Sequence, residues 1–503
     1  MQIALGAYLK RVASDSDHHD GVVAAARAVG RRPWDVVRYA GLLARCRLAV
    51  ATEDMGLTAA LRKVPLESRV AVARVAEGQP YPTLLHPGRR KRGAFDTPID
   101  MARQVVKTAL RSAEGPVRTG LDPACGPGSF LVAMAEAGVP EVFGTDVDGL
   151  ALEVAQIACP KARLLQEDAL RHGPPVDLIC GNPPFVPPER QTQDLRRELR
   201  RRFPWLKGRF DLVIPFAATA VNRVRPGGGI GLVLPAAALV QPYGAPLRRR
   251  WLERHAVTEL AGPMPFPGAS VDVMLLVMRG DAGPAEVPPH GVPAAELLSL
   301  DNVPLDAELM PGDAQLVRAI RANSVPLGSL CTIDTGLVAH GPQGGKAALL
   351  SDAPGDGRVP YADARDFFAG ERRWLDYQPA MMHRPKRPSL FERDKIVVQR
   401  IRGRAPVKAG IDREGIYVGH TCTVVQVTDD RVDLEAVLAL VTSPLIDAIT
   451  RIERGSRLDL YPKDVAAMPV PLQWLEGQER RPLDAAWGLD EASTVRLMHR
   501  ASR

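Results

Sequence analysis

Aromatic residues are scarce, at 5% of 503 residues, and there are only six cysteines. Cys46, Cys125, Cys159, Cys180, Cys331 and Cys422 are scattered, and no two form a C-x-x-C pair. That spacing argues against a zinc knuckle and against a disulfide framework, so no metal is expected. No run approaches the ~18 consecutive apolar residues that a membrane helix needs. The opening MQIALGAYLKRVASDSDHHD lacks an apolar core flanked by a cleavage signal, so a reducing cytoplasm is the expected setting, with no membrane partner. A strong excess of either charge is also missing. Lys and Arg together number 65 against 58 Asp and Glu, a net +7, which favours a polyanionic partner without requiring one. The 46% hydrophobic and 24% charged fractions are those of an ordinary globular chain. The length allows roughly three domains, with cores large enough to need no staple.

Residues 1–88 read as a helical region, since VVAAARAVGRRPWDVVRYAGLLARCRLAVA repeats apolar residues at helical spacing. The basic loop HPGRRKRGAF, residues 86–95, interrupts it. Within residues 89–282 the texture changes to short apolar runs alternating with amphipathic stretches. VRTGLDPACG, EVFGTD and VDLICGNPPF read as strands running into loops, and GGIGLVLPAA and SVDVMLLVMRG as strands. SFLVAMAEAG, GLALEVAQIA and DLVIPFAATAVNRV read as helices. Strands alternating with helices imply parallel pairing in an open α/β sheet, with VDVMLLVM a late strand in an edge hairpin. The Pro-rich stretch of residues 280–296 reads as a linker. Residues 283–475 read as an α+β domain with strands KIVVQRI and YVGHTCTVVQV and one helix, DLEAVLALVTSPLIDAITRI. Residues 476–503 read as a loosely ordered tail.

The chemistry concentrates at strand ends. LDPACGPGSF ends an apolar run in Asp122 and turns through Ala124, Gly126 and Gly128 into a helix. The glycines permit positive φ and close approach to a ligand. The G-x-G spacing lacks the third glycine of the dinucleotide fingerprint, and by itself it is no more than a βα turn. Asp146 and Asp168 follow at the next two strand ends. Each alone is most simply a cap or a turn; together they stand where open α/β sheets bind ligands. Asn182-Pro183-Pro184-Phe185 closes a fourth strand. An Asn side-chain oxygen and a rigid prolyl carbonyl are two acceptors for the hydrogens of an exocyclic amine. Accepting both directs the nitrogen lone pair outward. A neighbouring Phe offers a face to an unstacked base.

These elements resemble the amino-methyltransferases that use S-adenosylmethionine, and their order resembles the gamma class of N6-adenine DNA methyltransferases. Upstream, GAFDTPIDMARQVV matches that family's Thr-Pro ahead of a helix, at Thr97 and Pro98. The resemblance implies a Rossmann-like class I methyltransferase domain, an N-terminal helical region and a C-terminal target-recognition domain. It implies that Asp122, Ala124, Gly126 and Gly128 contact the methionine part of S-adenosylmethionine, with Thr97 and Pro98 beside it. Asp146 would hold the ribose and Asp168 the adenine, with Asn182 bordering both cofactor and substrate. Asn182, Pro183 and Phe185 would be catalytic. Phe185 would stack the target base, and Phe266 of PFPGASVDVMLLVM is the candidate second ring, equally readable as a core aromatic. Pro127 departs from the small residue usual in that loop.

Double-stranded DNA is the partner this implies. The basic clusters Arg89–Arg92, Arg196–Arg202, Arg248–Arg250, His383–Pro388 and Gln399–Lys408 are candidate backbone contacts or solvated faces. Cys159 precedes a proline rather than following one, so the thiolate attack that cytosine-C5 methylation needs is not expected. The first 90 residues carry no acid-x-Lys nuclease constellation. A restriction endonuclease or other defence protein on another chain is the partner class that fits. Three alternatives stay open: an rRNA base or a protein glutamine as acceptor, N4 of cytosine, and a non-catalytic specificity subunit.

Overall fold

The computed structural model describes residue 95 and residues 97–502, apart from 171–172, 267–270, 284, 340–347, 402–404, 456–458 and 477–479. The helical reading of residues 1–88 and the Arg89–Arg92 cluster lie outside the described residues. The chain divides into two compact units, the first reaching Leu298 and taking in Leu305–Glu308, the second formed by Ser299–Pro304 and Leu309–Arg503.

In the first unit, helix α1 (Ile99–Ser112) is followed by β1 (Thr119–Asp122), α2 (Ser129–Glu136), β2 (Glu141–Asp146), α3 (Gly149–Ala158) and β3 (Arg163–Gln166). Then come β4 (Val176–Gly181), α4 (Gln193–Arg202), α5 (Val213–Val221), β5 (Val224–Pro235), α6 (Ala236–Val240), α7 (Ala245–Arg254), β6 (Ala256–Pro265) and β7 (Asp272–Arg279). They form one seven-stranded sheet in the order β3-β2-β1-β4-β5-β7-β6. β1 to β5 pair in parallel, and β7 runs antiparallel to both neighbours. The chain is therefore α/β and Rossmann-like. β4 shows why its sequence reads as an apolar run interrupted only by Asp177: Val176, Leu178, Ile179 and Cys180 are all buried, as in a parallel strand covered on both faces. The glycines of β5 serve α1. A Cβ on Gly229 would lie 2.3 Å from the Ala109 carbonyl oxygen, and one on Gly231 would lie 2.6 Å from Val105.

The strand order reverses direction between β1 and β4, which pair directly. Their carboxyl ends therefore open a crevice, the usual ligand position in such sheets. The late strand β7 is the inner member of the terminal hairpin, and β6 forms the edge.

The stretch expected as a linker is folded. Glu286–Val287 and Val292–Pro293 pair as a small hairpin and Ala294–Leu298 is helical. Val287, Val292, Ala294 and Leu297 are buried, so its spaced apolar residues outweigh its prolines.

In the second unit, Cys331–Thr335, Cys422–Val427, Lys395–Gln399 and Ala409–Asp412 form a four-stranded antiparallel sheet. A second four-stranded sheet contains Leu350–Ser351, Arg373–Asp376, Arg358–Ala362 and Tyr417–Val418. Residues 417–427, expected as one strand, thus serve two sheets. The single helix expected over 433–452 is two, Leu434–Thr442 and Pro444–Arg454. Pro444 has no N–H to continue the first helix, and the Ser443 hydroxyl accepts from Leu445 N–H to start the second. The expected loose tail ends in a helix, Glu491–Ser502, that packs on Pro444–Arg454 and buries Leu497 and Arg500. Lys395 and Asp412, both fully buried, form an ion pair inside this unit.

Candidate active site

Asp122, Asp146 and Asp168 use the same local device. Each carboxylate accepts the backbone N–H two residues on: Ala124 at 3.0 Å, Asp148 at 2.8 Å and Leu170 at 3.0 Å. Such Asx turns end a strand sharply, which is why acids recur at these positions. Asp146 does more, accepting Gly126 N–H at 2.9 Å and so tying the glycine turn to β2. Gly126 has φ +49°. Gly128, at φ +98°, caps α2, and a Cβ there would meet the Ala155 backbone at 3.2 Å. Its glycine is required by close helix packing as well as by conformation.

These loops surround a cleft of about 380 Å³ lined by Phe95, Thr97, Asp122, Ala124, Gly126, Asp146, Asp168 and Asn182 among others. Pro98, Gly128, Pro183, Phe185 and Phe266 do not line it. Pro98 directly precedes α1 and leads it away from buried Thr97. Asp122 lies at the cleft floor, 1% exposed. Burial pushes its carboxyl up to about 8, the Asp122–Ala124 hydrogen bond opposes this, and the charge of Asp146 adds to it.

Asn182 leaves β4 with its amide turned by one contact. Nδ2 donates to the Phe95 carbonyl at 3.1 Å, and Oδ1 is buried with no hydrogen-bond partner among the described residues. A buried acceptor without a donor is costly, and it faces a cleft able to supply one. The rings of Phe95, Phe185 and Phe266 form a three-way cluster, with centroids 5.7 Å apart for Phe95–Phe185 and 6.5 Å for the two other pairs. Phe95, read from sequence only as the end of a basic loop, is the member the motifs missed.

The loop after Asn182 is held from a distance. Val186 N–H donates to Asp211 at 3.0 Å, while the Val186 carbonyl accepts from Gln191 Nε2 at 2.8 Å and from Leu212 N–H at 3.0 Å. Asp211 also caps α5 through Val213 N–H, and burial pushes its carboxyl up to about 6. Gln191 belongs to no motif that the sequence marks, and Asp211 enters only as the first residue of the stretch read as the helix DLVIPFAATAVNRV.

The basic clusters separate. Arg196–Arg202 forms most of α4. Arg248 is fully buried and donates to the carbonyls of Ala238 and Gln241, and Arg249 donates to Leu298 O. Arg248 thus serves the fold from a position closed to phosphates, and Arg249 is partly engaged in the same way. In His383–Pro388, Lys386 pairs with Asp334 at 2.7 Å. Among the described residues no helix is long and apolar enough to cross a membrane, and no group of His, Cys, Asp and Glu could hold a metal ion.

A family model described as Eco57I restriction-modification methylase matches residues 171–261. The type II methyltransferase M.TthHB8I of Thermus thermophilus is 30% identical over 305 residues, 58% of this chain and 68% of that protein. M.BanIII of Aneurinibacillus aneurinilyticus, also a type II methyltransferase, is 28% identical over 206 residues, and the match spans 35% of its length. The crystal structure of the type IIG restriction endonuclease BpuSI aligns over 95% of this chain and 76% of its own, at 14% identity and a TM-score of 0.42.

Proposed function

Since the chain belongs to the type II methyltransferases of restriction–modification, we propose that it methylates N6 of adenine in duplex DNA, with the target base lifted from the helix. The observation that carries this reading is Asn182 Oδ1, a buried acceptor without a partner among the described residues, on a side chain that lines the cleft.

The cleft fits S-adenosylmethionine by its chemistry. Carboxylates at successive strand ends suit an ammonium and two ribose hydroxyls, and the Gly126 turn lets backbone come close. Asp122 with the Ala124–Gly126 turn would hold the methionine end, Asp146 the ribose and Asp168 the adenine. When bound, this cofactor supplies an electrophilic methyl group carried on a sulfonium. Asn182 Oδ1 and the Pro183 carbonyl accept the two hydrogens of the target amine. The amine of adenine is a poor nucleophile because its lone pair is delocalised into the ring. Accepting both hydrogens favours a pyramidal nitrogen with its lone pair aimed at the methyl, a preorganised electrostatic effect. Phe95, which lines the cleft, offers an apolar face to an unstacked base, and the buried rings of Phe185 and Phe266 pack against it as support.

The test is to incubate the purified protein with S-adenosylmethionine and, in parallel, duplex DNA, ribosomal RNA and a glutamine-bearing protein substrate. Modified DNA is then digested and its nucleosides identified. N6-methyl-2′-deoxyadenosine from DNA alone is expected. N4-methylcytosine would move the target to cytosine, and label only in RNA or protein would refute the DNA reading.

A further inference from the structure

Helix α4, which follows the Asn-Pro-Pro-Phe loop, carries five arginines against one aspartate and one glutamate in ten residues. Its faces are unequal. Leu199 is buried, and Leu195 lines the cofactor cleft together with Arg190 just upstream. Gln193, Arg196, Arg197 and Arg200, at spacings of three and four, line a separate surface concavity, as side chains on one helical face do.

We propose that this arginine face grips backbone phosphates of the DNA duplex beside the target nucleotide. The inference rests on the DNA reading above. Three arginines line one hollow, and a phosphate diester is the ligand whose charge and fork-like oxygens match their guanidiniums. The arginines are partly arranged in advance. Arg200 donates to the Gly208 carbonyl at 2.8 Å and lies 5.9 Å from the centre of the Phe210 ring. Arg197 is tied only to Asp194, at 3.1 Å with both side chains more than three-quarters exposed, a pair weak enough to yield to a phosphate. The surface continues in Trp205, under the Arg250 guanidinium at 5.2 Å, the pairing of aromatic and arginine that nucleic-acid surfaces use. Leu195 sits between the two environments, so one helix would couple grip on the strand to the wall of the cleft.

The experiment measures binding of the full chain to a fluorescently labelled mixed-sequence duplex across a salt series, for wild type and R196Q/R197Q/R200Q. S-adenosylmethionine affinity, read by calorimetry, reports that the variant is folded. Each phosphate contact contributes roughly 0.9 to the slope of log affinity against log salt, so the variant slope should be shallower by about 2 to 3. The KM for DNA should rise at least about tenfold at low salt. An unchanged slope in a variant that binds the cofactor normally would overturn the proposal, even if the wild type methylates DNA. A shallower slope with no methylation of DNA by the wild type would uphold the phosphate face and refute the DNA-methylation reading instead.

Discussion

Asp122 gives a prediction that joins the fold to the cofactor through pH. Its carboxyl is 1% exposed and pushed from the ordinary 3.8 to about 8, chiefly by burial. A carboxyl raised in the folded state stabilises the fold in its neutral form. That contribution is complete below about pH 4 and is lost as pH rises through about 8. In the free protein at neutral pH Asp122 therefore carries its proton, and stability should fall by up to about 1.4 kcal/mol per pH unit across that window. A cationic ammonium beside Asp122 favours the carboxylate, so binding S-adenosylmethionine should release one proton. Between pH 6 and about 7.5, below the ammonium's own titration, affinity should rise by as much as tenfold per unit, about 30-fold in all. Calorimetry in buffers of different ionisation enthalpy counts the proton directly. Asp122→Asn should abolish the proton release and flatten both profiles. Wild-type affinity independent of pH, or an Asp122→Asn variant that keeps the slope, would refute the reasoning.

Two other perturbations follow from the same geometry. Asp146→Ala removes the acceptor shared by Gly126 and Asp148 N–H, and at about 1.5–3 kcal/mol for a hydrogen bond to a charged group cofactor affinity should drop on the order of 10- to 100-fold; an unchanged dissociation constant removes Asp146 from the site. Asp412→Ala leaves the Lys395 ammonium buried without its carboxylate and takes the acceptor from the Glu414 and Ile416 N–H groups, so it should cost about 3–5 kcal/mol in denaturant unfolding, and the apolar pair Lys395→Met with Asp412→Leu should recover only part of it, because those two N–H groups still lack that acceptor; a single variant as stable as wild type would show that the pair contributes nothing.

The parts legible from sequence were those written in local chemistry. The acids at three strand ends read correctly as strand terminators because an Asx turn is encoded within three residues. The Asn-Pro-Pro-Phe segment stood out because each of its residue types limits the backbone or carries a distinct donor, acceptor or ring. The Asp211 and Gln191 clamp on Val186 was not legible, since it joins residues whose proximity only the folded chain creates. Phe95 was hidden for the same reason. Arg248 and Arg249 looked like their solvent-facing counterparts, and only packing revealed carbonyls waiting for them. The break at Ser443-Pro444 was written in the sequence, but continuous apolar periodicity on both sides outweighed the capping signal. In the Pro-rich hairpin and the terminal helix the ordering comes from buried Val287, Val292 and Leu497, whose partners only the folded chain supplies.

The central claim is that Asn182 presents its side-chain oxygen to the amine of a target adenine. Its most direct test is to express wild type and Asn182→Ala in a methylation-deficient host and sequence the genomic DNA by a long-read method that detects modified bases. N6-methyladenine in one recurrent sequence context is expected for the wild type. The variant should retain S-adenosylmethionine binding and show activity lower by about 10²-fold or more, as when one key transition-state hydrogen bond is lost. A wild type that is soluble and leaves adenine unmodified, or a variant that methylates as well as the wild type, would contradict it.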